Sequence, residues 1–378
     1  MKSGGPSRAI IDLDAYAHNL GVVRSFARPN HRIIAVIKAD AYGHGAVPVG
    51  RAALRAGAAM LGVATVQEGV ALREAGIGAP VLVMVNPHAD ELDQVVSHRL
   101  TLMISDIATA QRLGELSRDA GQITTIHCKV DTGMGRQGFA AEEAPGALQA
   151  ISRITHVDIE GVATHFPSSD VPEDQYTLGQ IKTFRQVVRR VEKLGIPFEF
   201  AHAANSAAII NYADSLFDAV RPGLICYGVW PVADTQERSP LRRVLRWETH
   251  VVQVRDLPDG ASVGYNRSFR ANGPIRTAVL PVGYADGYRR HLSNNADVLI
   301  RGRRCPVRGS VSMDQTVVDV SALPEVRCGD TATLIGSDGD ETITAAELAR
   351  RAGTIPYDIL TGIGKRVVRE HSGGGEEE

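Results

Sequence analysis

A chain of 378 residues has room for two domains, or for one large α/β unit with an appendage. Hydrophobic residues at 44% and charged residues at 22% are ordinary for a globular protein, so a sizeable core presents no difficulty. The 41 basic and 43 acidic residues leave a formal charge of -2, which removes any bulk electrostatic case for nucleic acid as a partner.

No apolar run approaches the roughly 20 residues that span a bilayer. The start, MKSGGPSRAIIDLD, lacks the continuous apolar stretch of a secretory signal. Cys128, Cys226, Cys305 and Cys328 lie far apart, with no paired spacing. They are expected to be buried free thiols in a reducing cytosol, neither a disulfide framework nor a zinc site. The expected location is therefore cytoplasmic, with no membrane partner.

In chain order, the apolar run 9–13 comes before the first regular unit, and residues 1–12 are expected to pair with a sheet formed later. Strands are predicted over 32–38, 60–64, 81–85, 100–104, 123–130, 157–164, 198–202 and 218–221. Amphipathic stretches lie between them, for example 47–56, 67–75, 105–120 and 175–194. Strands alternating with helices imply a parallel sheet, because parallel strands need crossovers. Eight such units over residues 13–240 fit a closed (β/α)8 TIM-type barrel better than an open sheet.

After Leu241 the strand candidates follow one another across short Pro/Gly turns: 247–254, 276–280, 297–300, 315–320 and 331–335. One helix is predicted over 344–352, with Thr344 as its cap and Glu347 completing a capping box. The cluster Arg301, Arg303, Arg304 and Arg308 reads as a solvated sheet edge. Residues 241–371 thus form a mainly β domain. The tail 372–378, SGGGEEE, has no apolar residue and is expected to be disordered.

Barrel sites are built at the carboxyl ends of the strands. Those ends carry Lys38, then Lys129 with Asp131 and Arg136, then His165, His202 with Asn205 and Ser206, and Arg221. Lys38 closes the apolar run RIIAVIK, so its amine either snorkels to water or is desolvated enough to form a Schiff base. The segment TGMGRQG matches the dinucleotide fingerprint GxGxxG, but it follows the fifth strand and does not open the first βαβ unit. Asn205-Ser206 and Arg221-Pro222-Gly223-Leu224 fall where barrels often bind phosphate, although an ordinary helix cap explains the first pair equally well. The histidines show no HExxH or other metal spacing, and no GxSxG elbow is present.

Taken together, the segments IKADAYGHG, KVDTGMGRQGF, THF, AANSAA, RPGLICYG, VGYNRSF, LPVGYADGYRR and GSVSMDQ resemble, in order and spacing, those of the alanine racemases. The resemblance runs from IIDLDAYAHNL near the start to Tyr357. That family implies a pyridoxal 5'-phosphate enzyme with a barrel and a β domain, racemising L- and D-alanine to supply peptidoglycan. It implies Lys38 as the cofactor's Schiff-base lysine and as one acid/base, with Tyr265 as the other on the opposite face. Lysine and tyrosine side chains ordinarily titrate near about 10, so the site must adjust them for work at neutral pH.

By the same resemblance Arg221 would face the pyridine nitrogen, and His165 and His202 would orient Arg221 and Tyr265. A guanidinium cannot readily give up its proton, so the ring would stay a modest electron sink. Tyr42, Asn205, Ser206, Gly223, Leu224 and Tyr357 would hold the phosphate end. Arg136, Met313, Asp314 and Tyr284 would line the substrate side. Lys129 matches a position carbamylated in some members; the alternative is an unmodified lysine paired with Asp131. The family further implies a homodimer with shared sites, Tyr265, Met313 and Asp314 coming from the second copy. Cys226 and Gln137 depart from the residues common at their positions, outside the catalytic set.

Other readings rank behind this one. They are a racemase of serine or another amino acid, a decarboxylase of basic amino acids for which Cys328-Gly329-Asp330 is a faint echo, a noncatalytic pyridoxal-phosphate carrier, and a nicotinamide dehydrogenase resting on TGMGRQG alone.

Overall fold

Eight short apolar runs are driven inside by burial on both faces, and they close on themselves. In the computed structural model, which describes residues 5–232 and 240–375, these strands are Arg32–Val36, Met60–Val63, Val81–Val83, Thr101–Ile104, Thr124–Asp131, Val157–Ala163, Phe200–His202 and Ala219–Val220. Each pairs in parallel with the next, and Ala219–Val220 returns to Arg32–Val36 through Ala219↔Arg32 and Val220↔Ile33, which completes the barrel. Runs such as MLGV and TLMI are buried at every position, as parallel strands covered on both faces require. Ile34, Met60, Leu82, Met103, Ala163, Phe200 and Ala219 fill one cluster of the interior.

Helices return the chain between strands, and local caps start several of them. Asp106 accepts the N–H of Thr109 at 2.7 Å, and Asp174 accepts from Thr177 at 3.1 Å at the head of Gln175–Lys193. No helix among the described residues is long and apolar enough to cross a membrane.

The first barrel strand stops at Val36, two residues earlier than the apolar run suggests. From Ala39 to Tyr42 the backbone is left-handed, with φ of 52, 52, 53 and 54°, and Gly43 follows at 81°. Ala41 N–H still reaches Ile37 C=O at 2.8 Å, so Lys38–Gly43 is a hydrogen-bonded helical turn of inverted hand.

Contacts divide the chain into two compact units. One comprises Tyr16–Ala41 and Ala46–Arg242; the other comprises residues up to Ala15, Tyr42–Gly45, and everything from Arg243 onward. The second unit is built on a sheet with the order Arg303–Pro306, Asp297–Ile300, Thr331–Asp338, Leu245–His250, Ser7–Asp12, Val368–Ser372. Ser7–Asp12 pairs antiparallel with Leu245–His250 and parallel with Val368–Ser372. A smaller sheet joins Gln253–Leu257, Ile275–Leu280 and Thr316–Asp319.

Several expectations change here. The run 247–254 is two strands in different sheets, because Val251 and Val252 leave the ladder to bond Asp330 C=O and Val279 C=O. Arg303–Pro306 is an edge strand, and Arg304 does not merely face water: it bonds Glu341 and Glu347, each at 2.8 Å. Thr344 caps the helix Ala345–Ala352 through Glu347 N–H at 3.0 Å, yet the Glu347 carboxylate turns to Arg304 and Arg351, so the capping box is only half formed. Ser372, expected to begin a disordered tail, ends the strand Val368–Ser372, while 376–378 lie outside the described residues. All four cysteines are free; Cys128, Cys226 and Cys305 are buried, but Cys328 is exposed, since it sits in a turn beside Gly329. Cys328 bonds Val252 C=O, and its neighbour Asp330 pairs with Arg301.

Candidate active site

The barrel brings Lys38, Lys129, Arg136, His165, His202 and Arg221 together electrostatically. Lys129 and Arg221 are buried, and Lys38 is half-buried. Burial lowers the Lys38 amine's pKa, and Arg136 and Arg221 push it further down, with Glu68 opposing them. For Lys129 the depression is larger: burial leads, then the positive charges of Arg221 and Arg136. Burial beside Arg221 likewise keeps His165 and His202 neutral at ordinary pH. Arg221 itself is lowered to about 10 by burial.

Arg221 is held on several sides. Its Nη2 donates to Thr164 C=O at 2.6 Å and Ala203 C=O at 2.8 Å, and lies 3.2 Å from His165 Nδ1; its Nη1 donates to His202 Nδ1 at 2.5 Å. The carbonyls come from the ends of neighbouring strands, so closure of the barrel fixes the guanidinium's plane.

Lys38 sits where the strand becomes the left-handed turn. Such a turn disfavours L-residues by about 1–2 kcal/mol each, so it needs outside support. Glu68 supplies some of it: one carboxylate oxygen accepts Ala39 N–H at 2.6 Å, and the other accepts Ala64 N–H at 2.7 Å. Glu68 also closes a complete capping box with Thr65 at the head of Val66–Glu74. The sequence reading missed Glu68, although Thr65-x-x-Glu68 carries the capping-box signature.

The GxGxxG loop does something other than bind a pyrophosphate. The Asp131 carboxylate accepts Gly133 N–H and Met134 N–H, both at 2.8 Å, and Gly135 N–H at 3.0 Å. Burial opposes the Asp131 charge, but these amides and that of Arg136 outweigh it and hold the carboxyl below its usual range. A Cβ on Gly138 (φ 139°) would stand 2.4 Å from Asp131 N, so glycine is required for the loop to fold back. The loop amides are thus engaged internally, which removes the dinucleotide reading. No ion pair joins Lys129 and Asp131 among the described residues; the Asp131 carboxylate bonds amides of the loop that carries the exposed Arg136, while its charge still opposes the lowering of the Lys129 pKa.

Near the last two strands, Asn205 caps Ser206–Asn211 by accepting Ala208 N–H at 3.0 Å and receives Ser169 Oγ–H at 2.9 Å, so its side chain is structurally engaged. Ser206 Oγ accepts Gly223 N–H at 2.9 Å and Ile225 N–H at 3.4 Å, tying the helix start to the turn that holds Leu224. Its own hydroxyl hydrogen is left to donate.

In the second unit, Tyr265, Tyr284 and Met313 are exposed, at 66%, 43% and 52%. Tyr265 and Tyr284 line an open pocket of about 480 Å³ with Arg289, Arg290, His291 and Val311. Tyr265 follows Gly264, where a Cβ would stand 2.7 Å from Ser310 N, and precedes two residues of positive φ, Asn266 and Arg267. Tyr284 N–H and Ala285 N–H bond Ser312 C=O and Met313 C=O, each at 3.0 Å, which ties the segments carrying Tyr284 and Met313 together. Asp314 pairs with Arg366 at 2.8 Å, and Arg366 also reaches Asp286 at 3.1 Å; neither arginine contact was read from the sequence. The rings of Tyr42 and Tyr357 stand 5.8 Å apart within this unit.

Among the described residues no cluster of side chains is suited to a metal. The barrel rim is instead a set of cations whose carboxylates, Asp131 and Glu68, already serve backbone amides. Such a rim suits an anion, and its depressed lysine suits a carbonyl compound.

Two family models match the chain: the N-terminal domain of alanine racemase over residues 11–231, and its C-terminal domain over 244–371. An alanine racemase of Halothermothrix orenii is 40% identical over 366 residues, covering 97% of both chains. Among solved structures, the alanine racemase of a D-cycloserine-producing Streptomyces lavendulae superposes with a TM-score of 0.94 at 34% identity, covering 98% of each chain. That of Bartonella henselae, which carries covalently bound pyridoxal phosphate, gives 0.87 at 28% identity, with 97% and 99% covered.

Proposed function

The chain belongs to the alanine racemase family, and on that premise we propose which side chains carry its pyridoxal-phosphate-dependent interconversion of L- and D-alanine. The observation behind the assignment is the half-buried Lys38 amine, lowered in pKa by burial and by Arg136 and Arg221. A neutral amine is a nucleophile toward the cofactor's aldehyde and, once released, a proton acceptor. When bound, pyridoxal phosphate supplies the electron sink that weakens the substrate's α C–H bond.

Inversion requires proton removal on one face and delivery on the other. Lys38 serves one face, and the phenol of Tyr265 serves the opposite one. Arg221, fixed by Thr164, Ala203 and His202, keeps two further N–H donors, on Nε and Nη1, and would face the pyridine nitrogen with one of them. The free hydrogen of Ser206 donates to a phosphate oxygen, in a segment shaped by Asn205, Gly223 and Leu224. Tyr42 and Tyr357 carry hydroxyls of a kind suited to a phosphate. Arg136 takes the substrate carboxylate, helped by Met313 and Asp314, while Tyr284 limits side-chain size. Lys129, whose amine pKa is lowered by burial and by the charges of Arg221 and Arg136, is suited to react in its neutral form with carbon dioxide, releasing a proton and leaving a carbamate that would neutralise part of that charge.

Tyr265, Tyr284 and Met313 are large side chains left open to water, and a second copy of the chain would cover them. We therefore assign the working form as a homodimer with shared sites, placed in the cytoplasm and supplying D-alanine for peptidoglycan. The test is to incubate purified protein and pyridoxal phosphate with L-alanine and to analyse product chirality. Equal amounts of both enantiomers, absent with Lys38→Ala, are expected. Unchanged L-alanine, with conversion of serine, lysine or arginine instead, would overturn the substrate.

A further inference from the structure

Behind His202 the polar chain continues away from the rim. Arg221 Nη1 donates to His202 Nδ1 at 2.5 Å. A guanidinium has donors only, so Nδ1 accepts and the neutral ring carries its proton on Nε2. That Nε2 lies 2.8 Å from His127 Nδ1, which must therefore accept. His127 Nε2–H is then left to donate to Glu160 Oε2, also at 2.8 Å. One tautomer satisfies every link, and reversing either ring would set N–H against N–H.

The backbone is shaped for this chain. Ile126 pairs with Ile159, but His127 pairs with Gly161, so Glu160 is an extra residue in the sixth strand. A bulge of this kind re-aims a side chain. A Cβ on Gly161 would stand 2.8 Å from His127 Nδ1 and 2.9 Å from its Cγ, so only glycine leaves room for the ring. Phe200 packs edge-on to His127 at 5.1 Å. Both imidazoles are fully buried, and burial keeps both neutral. Besides Glu160, the ionisable groups facing them are Arg221, Lys129 and Arg32, and Arg32 already pairs with Glu199 at 2.8 Å.

We propose that His127 and Glu160 are positioning residues, forming with His202 a fixed-tautomer chain that makes Glu160 the part-buried counter-charge of Arg221. This rests on the assignment of Arg221 to the pyridine nitrogen. The carboxylate strengthens Arg221's hold on its protons and fixes its orientation. Removing that negative charge makes Arg221 a readier donor, and the ring a stronger electron sink. A stronger sink favours the side reaction in which alanine and pyridoxal phosphate become pyruvate and pyridoxamine phosphate.

The test compares wild-type holoenzyme with Glu160→Gln, whose amide oxygen can still accept from His127. Expected are a fall in kcat of about fivefold, a KM for alanine within about twofold, and pyruvate formed per racemisation raised about tenfold, the last equal to about 1.4 kcal/mol. Glu160→Asp, which keeps the charge, should return the pyruvate ratio toward wild type. A pyruvate ratio and kcat unchanged in folded Glu160→Gln would overturn the proposal. Neutron diffraction on deuterated wild-type holoenzyme reads the tautomers without any variant. Deuterium on Nε2 of both His127 and His202 is expected, and deuterium on Nδ1 of either overturns the chain. If the wild type does not racemise alanine, the assignment of function fails, whereas the tautomer result still judges the chain.

Discussion

Four backbone amides of the loop after the fifth barrel strand turn in to one carboxylate, that of Asp131. Hydrogen bonds to a charged acceptor contribute about 1.5–3 kcal/mol each, so Asp131 fixes where Arg136 begins. Asp131→Asn keeps one acceptor oxygen and loses the charge. The loop should loosen, raising KM for alanine by about tenfold, a shift of about 1.4 kcal/mol, while kcat changes less. Steady-state kinetics in both directions would check this, and an unchanged KM would mean that the loop is held by other contacts. At this scale the sequence separated residue types well and environments poorly. Lys38, Lys129, His202 and Arg221 could be named from strand ends, because an apolar run followed by a polar residue marks a rim. That Asp131 faces amides rather than Lys129, or that Glu160 turns inward at a bulge, depends on register. A register shift follows from how the strands pair, and His127 within the run TIHCKV gave no cue to its partner.

Elements were legible where burial alone decides them. Most barrel strands are short apolar runs buried on both sides, so their centres follow from composition, and only their ends shift by a residue or two. The left-handed turn Lys38–Gly43 was not legible, because KADAY has good right-handed helix formers and only Gly43 hints at positive φ. Glu68 and the strand before it impose the hand from outside. The run 247–254 misled for a related reason: a two-residue step between sheets leaves no gap in hydrophobicity. Ser7–Asp12 is a sharper case, since it has neighbours on both sides, Leu245–His250 and Val368–Ser372. Ala9 and Ile11 are fully buried. Ile11→Asp would place an unpaired charge there, and broken buried contacts of this kind cost about 3–5 kcal/mol. Denaturant unfolding should show that loss, and limited proteolysis should first cut between Arg243 and Ser372. A variant as resistant as wild type would show that the sheet does not depend on this inner strand.

For the whole molecule, the division into a barrel and a β domain follows from a change of texture near Leu241, but the allocation of Tyr42–Gly45 to the second unit does not. Tyr42 and Gly43 lie within the left-handed turn itself, which no residue pattern in the sequence marks out. The number of copies that make a site is set by surfaces. Tyr265 is two-thirds exposed, beside an open pocket lined by Tyr284 and three basic side chains. An acid/base on such a surface is ineffective unless something excludes water from it. The proposed homodimer, in which each copy would lend Tyr265 to the other's Lys38, would supply that cover. Lys38→Ala and Tyr265→Phe should each be nearly inactive alone. Mixed under conditions that allow subunit exchange, statistical pairing puts half of the dimers in the mixed form, each with one site that has both residues intact. Activity should then recover to about a quarter of wild type, one competent site in half of the dimers. Recovery that tracks exchange, followed by mass spectrometry of differently tagged copies, establishes sharing; exchange without recovery places Lys38 and Tyr265 of one site on the same chain.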